Sequence, residues 1–214
     1  MLALFDLDDT LVDRSAGLKD WARGFTYSRR LPRDAESVIC ARLRERACFA
    51  DFVDLQELLG LREDPGDLWH EYVDGLARSI RCFPGAREGL DALRSAGWSL
   101  GVATNGAADI QRAKLEATGL ALLFDGICIS EAVRARKPER RHFEAAASEC
   151  GVLPSAGGWM VGDNPATDIG GAAAAGLRTI WVSGVREWPD GLRKPDAAVQ
   201  HVAEAIELLR GLTV

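Results

Sequence analysis

The chain has 214 residues, 47% hydrophobic and 27% charged, enough to bury one core or one core with an insertion. Its 26 basic and 32 acidic residues leave a net charge of −6, so no basic field attracts a nucleic-acid backbone. Its apolar runs fall far short of the roughly 20 residues that cross a bilayer, so neither nucleic acid nor membrane is expected as a partner.

Leu2 to Phe5 is a short apolar run that stops at Asp6, Asp8 and Asp9, which reads as a buried strand ending at a site rather than a signal peptide. Residues 14–81 are rich in Arg, Leu and Glu and carry helical stripes. The clearest is Trp69, Tyr72, Val73, Leu76 and Ile80, spaced along one helix face. Ile39, Leu43 and Ala47 make a second stripe, and Leu55, Leu58 and Leu59 a third. After Pro84 the pattern alternates. Helices are predicted from Pro84-Gly85 to about 97, over 107–118, 139–150 and 167–175, and from 201 onward. Strands are predicted at 98–103, 127–129, 159–161 and 179–182, with a last edge strand at 197–199. Such alternation implies a doubly wound, Rossmann-like α/β fold with a parallel sheet. The expected organisation is a core of residues 1–13 and 82–214 and an inserted helical cap of residues 14–81. The five cysteines (Cys40, Cys48, Cys82, Cys128 and Cys150) include no Cys-x-x-Cys pair and read as small core residues in a reducing compartment. A soluble, cytoplasmic protein is the expectation.

Ligands of open parallel sheets bind beyond the carboxyl ends of the strands. The first strand delivers Asp6, Asp8, Asp9 and Thr10, the second Thr104-Asn105-Gly106, and the 159–161 strand Gly162-Asp163 with Asp168 further on. Lys137-Pro138 precedes the 139–150 helix. Singly, Asp-x-Asp reads as a turn or cap, Thr-Asn-Gly as a common turn and Lys-Pro as almost nothing, whereas Gly-Asp-x-x-x-x-Asp has some specificity, since Asp168 would cap or line the next helix while Asp163 points outward. Together they bring carboxylates, a hydroxyl and a lysine to one rim. Two carboxylates about 4 Å apart repel by about 4 kcal/mol at an effective dielectric near 20, which raised pKa values or a hard cation must offset. Oxygen ligands without histidine or thiolate suit Mg²⁺ rather than zinc. Thr104, the amides near Asn105 and Gly106 at a helix start, and Lys137 would hold an anion.

In this order the motifs resemble the haloacid dehalogenase superfamily of phosphohydrolases, in the branch with a helical cap after the first motif. Phe5-Asp6-Leu7-Asp8-Asp9-Thr10-Leu11-Val12 resembles its first motif and Ala103-Thr104-Asn105-Gly106 its second. Arg136-Lys137-Pro138 with Phe143 resembles the third, and Val161 to Ile169 with Gly171, Ala172 and Gly176 the fourth. The resemblance implies Asp6 as nucleophile and metal ligand, and Asp8 as general acid and base with its backbone carbonyl on Mg²⁺. It implies Thr104, Asn105, Gly106 and Lys137 on the phosphoryl group, Asp163 on the metal and Asp168 in support of it. Asp9 stands where capped relatives often have glycine, Arg134 where glycine is frequent, and Glu139-Arg140 where Asp-Pro is common.

The activity implied is hydrolysis of a small phosphorylated metabolite through a phosphoryl group on Asp6. Dehalogenases of the superfamily lack the acid at position 8, because a halide leaves without a proton. Phosphate-transfer pumps usually carry threonine there and a much longer chain. A phosphomutase would use the same residues under a cap that excludes water. A non-catalytic binding protein would be expected to lose Asp6 or Asp8, and both are present. His70, His142 and His201 read as surface or core residues, and Trp181 and Trp188 as packing. Arg29, Arg30, Arg33, Arg42, Arg44 and Arg46 read as a solvated helix face in preference to contacts with an anionic substrate. Monomer and homodimer are both open.

Overall fold

The computed structural model describes residues 1–213. Leu2–Phe5 forms β1, buried at every position, as expected of a strand covered on both faces. Side chains alternate along it. Ala3 and Phe5 join the larger apolar cluster, while Leu2 and Leu4 pack on the other face with Ala103, Phe143 and Met160. The remaining strands are β2 (Ser99–Thr104), β3 (Gly126–Ile129), β4 (Trp159–Gly162), β5 (Arg178–Val182) and β6 (Ala197–Val199). All neighbours are parallel, in the order β3-β2-β1-β4-β5-β6. The strand order reverses beside β1, and Phe5 is in register with Val102 of β2 and Val161 of β4. The carboxyl ends of β1, β2 and β4 therefore meet at one rim, at the switch point where such sheets bind ligands.

Between β1 and α5 (Ala86–Ser95) come four helices: α1 (Arg14–Arg29), α2 (Ala35–Leu43), α3 (Phe49–Leu59) and α4 (Pro65–Ser79). The chain leaves and returns along one path: Asp13 N–H donates to Arg81 O and Phe83 N–H to Leu11 O, both at 2.9 Å. α4 begins at Pro65 because Asp64 accepts from Gly66 N–H and proline needs no partner there. Its buried stripe is Leu68, Trp69, Tyr72, Val73, Leu76 and Ala77. Trp69 and Tyr72 stack with Trp21 and Phe52, the Trp21–Tyr72 centroids lying 4.9 Å apart. This ring cluster is continuous with Phe5 and Leu7 of the sheet layer, so the insert shares its core with the layer below.

The helices after α5 are α6 (Ala108–Ala117), α7 (Ser130–Val133), α8 (Arg140–Glu149), α9 (Gly171–Ala175) and α10 (Val202–Arg210). Trp69 Nε1 donates to Asp109 Oδ2 at 2.6 Å and ties α4 to α6. Three stripe expectations need correction. Ala47 lies beyond the end of α2 and Ile80 beyond the end of α4, although both are buried. Leu58 is 65% exposed, because Phe52 and Leu55 take the inner face of α3. The helix expected at 167–175 starts as a wide π turn, Pro165–Gly170, before α9. Among the described residues no helix is long and apolar enough to cross a membrane.

Candidate active site

Asp6 follows β1 directly, and its N–H still donates to Val161 O at 2.9 Å, so the sheet ladder fixes its backbone. The residue is 7% exposed. Lys137 Nζ lies 2.6 Å from Asp6 Oδ1 and 2.8 Å from Asp168 Oδ1. Oxygens of Asp6, Asp163 and Asp168 all lie within 4.8 Å of one another. Lys137 thus bridges Asp6 and Asp168, and Asp163 adds a third acid beside them. Burial, with the charges of Asp168 and Asp163, holds the Asp6 carboxyl well above its ordinary range despite Lys137. Burial and Asp168 push Asp163 up to about 6, against the pull of Arg186, whose Nη1 is 3.0 Å away. Burial alone would lower Lys137, but Asp168 and Asp6 outweigh it and keep the ammonium charged. The donor set is all oxygen and carries excess negative charge, which fits a hard divalent cation.

The surrounding turns are held by side chains. The Asn105 amide donates to Lys137 O at 3.0 Å and accepts from Lys137 N–H at 2.9 Å, locking that backbone against β2's end. Asn164 Oδ1 accepts from Ala166 and Thr167 N–H, so Asn164, not Asp168, caps the π turn. Asp168 instead turns inward to Lys137 and accepts from Asn164 N–H at 3.0 Å. A Cβ on Gly162 would collide with the Asp168 carboxyl, so glycine permits this close approach. Gly106 N–H donates to Ser130 Oγ at 3.0 Å and Ala108 N–H to Glu131 Oε2 at 2.8 Å. Those two amides at the start of α6 are engaged by α7, not offered to an anion. Thr104 is 1% exposed; its Oγ1 accepts from Gln111 Nε2 at 2.6 Å and keeps its own O–H as a donor.

Asp8 lies outside the carboxylate cluster. Lys114 Nζ is 2.8 Å from both its oxygens, Gln111 Nε2 3.2 Å from Oδ2, and Arg14 Nε 3.9 Å from Oδ2. Burial pushes its pKa up, but Lys114 and Arg14 outweigh that and hold it below the ordinary range. Arg14 also donates to Leu43 O and Arg44 O, each at 2.6 Å, linking this end of the site to the loop after α2.

A cavity of about 450 Å³ opens over Asp6, Asp8, Thr104, Lys137, Asp163 and Asp168. Its walls include Arg44 and Arg46, which the solvated-face expectation placed elsewhere. That expectation fits Arg42, paired with Asp51 and Asp54; Arg29, by contrast, is drawn into a partly buried pair with Glu63 and Glu71. Trp181 does more than pack: its Nε1 donates to Asp163 O at 2.8 Å. Sequence reasoning missed Arg14, Gln111, Lys114 and Arg186. For two of them a signal existed: Gln111 and Lys114 alternate with Ile110 and Leu115 on the buried stripe of α6, an unusual place for polar residues.

A family model described as haloacid dehalogenase-like hydrolase matches residues 3–182. Pyrimidine 5'-nucleotidase YjjG of Escherichia coli is 35% identical over 150 residues, 70% of this chain and 66% of its own length. A phosphoglycolate phosphatase of Agrobacterium fabrum is 31% identical over 94% of this chain and 89% of its own. Among solved structures, a HAD phosphatase from Thermococcus onnurineus superimposes with a TM-score of 0.72 at 25% identity, covering 100% of this chain and 99% of its own.

Proposed function

The chain belongs to the haloacid dehalogenase-like hydrolase family, and from that premise we propose that it is a Mg²⁺-dependent phosphatase of small phosphomonoesters, with Asp6 as nucleophile. The observation that carries this reading is the Asp6 carboxylate at the switch point, with Lys137 at 2.6 Å and Asp163 and Asp168 beside it. Relatives named as a nucleotidase and a phosphoglycolate phosphatase support phosphomonoesters as the substrate class.

Asp6 attacks phosphorus in line as the carboxylate, its charge balanced by Lys137 and a bound cation, and the ester oxygen leaves with a proton from the protonated form of Asp8, which Lys114 and Arg14 keep a minority. Water then attacks the phosphoryl group on Asp6 while the Asp8 carboxylate takes its proton; the bond from phosphorus to Asp6 breaks, so Asp6 returns as carboxylate, Asp8 as acid, and phosphate is freed. Lys137 offsets the charge of Asp6 and of the group in transfer, and the Thr104 hydroxyl donates to a phosphoryl oxygen. Asp6, Asp163 and the Asp8 backbone carbonyl would hold Mg²⁺, with Asp168 in support; when bound, the ion supplies positive charge against the acids and the phosphoryl oxygens. Residues 14–81 act as the cap, with Arg44 and Arg46 facing the substrate, over a core of residues 1–13 and 82–214.

The test is a panel of phosphomonoesters (nucleoside monophosphates, phosphoglycolate, sugar phosphates) with released phosphate measured. Release should require Mg²⁺, stop in excess chelator and return with Mg²⁺ but not with Ca²⁺, whose looser coordination spoils in-line alignment. Full turnover in excess chelator, or isomerised product without free phosphate, would contradict the reading.

A further inference from the structure

Helix α6 carries a buried ion pair that the reaction as written does not use. Lys114 is 2% exposed, with its ammonium 2.8 Å from both oxygens of Asp8 and 2.7 Å from Gln111 Oε1. Gln111, one turn earlier and 1% exposed, sends its amide to Thr104 Oγ1 at 2.6 Å and to Asp8 Oδ2 at 3.2 Å. Two contacts of one amide and two of one ammonium thereby join the proton carrier to the hydroxyl that faces the phosphoryl group.

Burying an ammonium costs several kcal/mol, and a methionine of similar length would fill the space without that cost. Packing alone does not account for a lysine here. A second need is visible. Asp8 sits two residues from Asp6 and three beyond the end of β1, and its carboxyl faces Lys114 and Arg14 rather than the Lys137 ammonium that Asp6 faces. A general acid works within hydrogen-bond reach of the leaving oxygen, and a displacement of about 1 Å can cost about a hundredfold in rate.

We propose that Lys114 is a positioning residue for Asp8: together with Gln111 it fixes the Asp8 carboxyl apart from the Asp6–Lys137–Asp168 cluster and in register with Thr104. This rests on Asp8 being the proton carrier of the proposed reaction. Lys114 does not line the cavity over Asp6; it acts through Asp8.

The test is a double-mutant cycle on the Mg²⁺-loaded protein with Lys114→Met, Asp8→Asn and the double variant, using an alkyl phosphate and p-nitrophenyl phosphate. Lys114→Met should lower kcat for the alkyl phosphate about 10- to 100-fold with KM within about threefold, and should slow the first-turnover release of p-nitrophenol from the activated ester less, because that leaving group barely needs a proton. In the Asp8→Asn background, Lys114→Met should cost less than about threefold more, because no acid is left to place. Losses that multiply, or an equal loss for both substrates in the first chemical step, would overturn the positioning role. If Lys114→Met does not fold, Lys114→Gln takes its place; failure of both to fold would give Lys114 a structural role and overturn the proposal. The parent reading fails separately and visibly: Asp8→Asn alone would then keep normal turnover, and Lys114 would have nothing to position.

Discussion

Asp6 and Asp8 leave one turn two residues apart, and the fold surrounds them with opposite charge. Around Asp6 stand Asp163 and Asp168, relieved by Lys137; around Asp8 stand Lys114, Arg14 and an amide. The same carboxyl is consequently held above its ordinary range at one position and below it at the other. Residue type does not assign the role; the neighbours do. An acid crowded by acids invites a cation and a phosphoryl group, whereas an acid gripped by bases is kept in one place.

The largest effect should come from the first of these surroundings. Asp6→Asn removes the attacking anion, so kcat should fall by more than about 10⁴-fold, at the limit of phosphate detection. Normal turnover by this variant would dissolve the contrast. Asp8→Asn leaves the nucleophile in place and should slow an alkyl phosphate roughly 10²- to 10⁴-fold. Equal losses in the two variants on every substrate would mean that the sites do not differ as described.

Two smaller effects test the scaffolds of the two sides. Beneath the Lys137 loop, buried His142 bonds Ala135 O through Nδ1 at 2.9 Å, and burial lowers its pKa to about 4 from 6.5. Between those values the unfolded chain binds more protons than the folded one, so His142 stabilises fully above pH 6.5 and that stability is lost as pH falls toward 4. Denaturant unfolding between pH 7 and 4 should show the wild type losing about 3 kcal/mol more than His142→Phe. Parallel losses would leave His142 without that role. On the Asp8 side, Trp69→Phe deletes the 2.6 Å bond to Asp109 and should cost about 1–2 kcal/mol by the same method. A neutral outcome would show that apolar packing alone joins α4 to α6.

The contrast also marks what the sequence revealed. Asp6, Thr104 and Asp163 each follow an apolar run, and a parallel sheet sends such positions to one rim, so the Asp6 side was legible from order alone. Lys137 came with them because it opens the loop before α8. The Asp8 side was not. Lys114 and Arg14 arrive from a helix face and from the start of the insert, 106 residues beyond Asp8 and six after it, and only tertiary packing brings them together. The strand expectations were off by a residue or so at their ends, as where Thr104 joins β2. The helix expected at 167–175 starts two residues earlier, as a π turn at Pro165–Gly170 that Asn164 caps.

The most direct test of covalent chemistry at Asp6 is to hold the reaction halfway. Asp8→Asn protein with Mg²⁺ and p-nitrophenyl phosphate should complete the first displacement, since that leaving group barely needs a proton, and stall before water attacks. Intact-protein mass should rise by one phosphoryl group, hydroxylamine should remove it, and peptide analysis should place it on Asp6. A phosphoryl group found on any other residue, or none found while Asp6→Asn still turns over, would contradict the account.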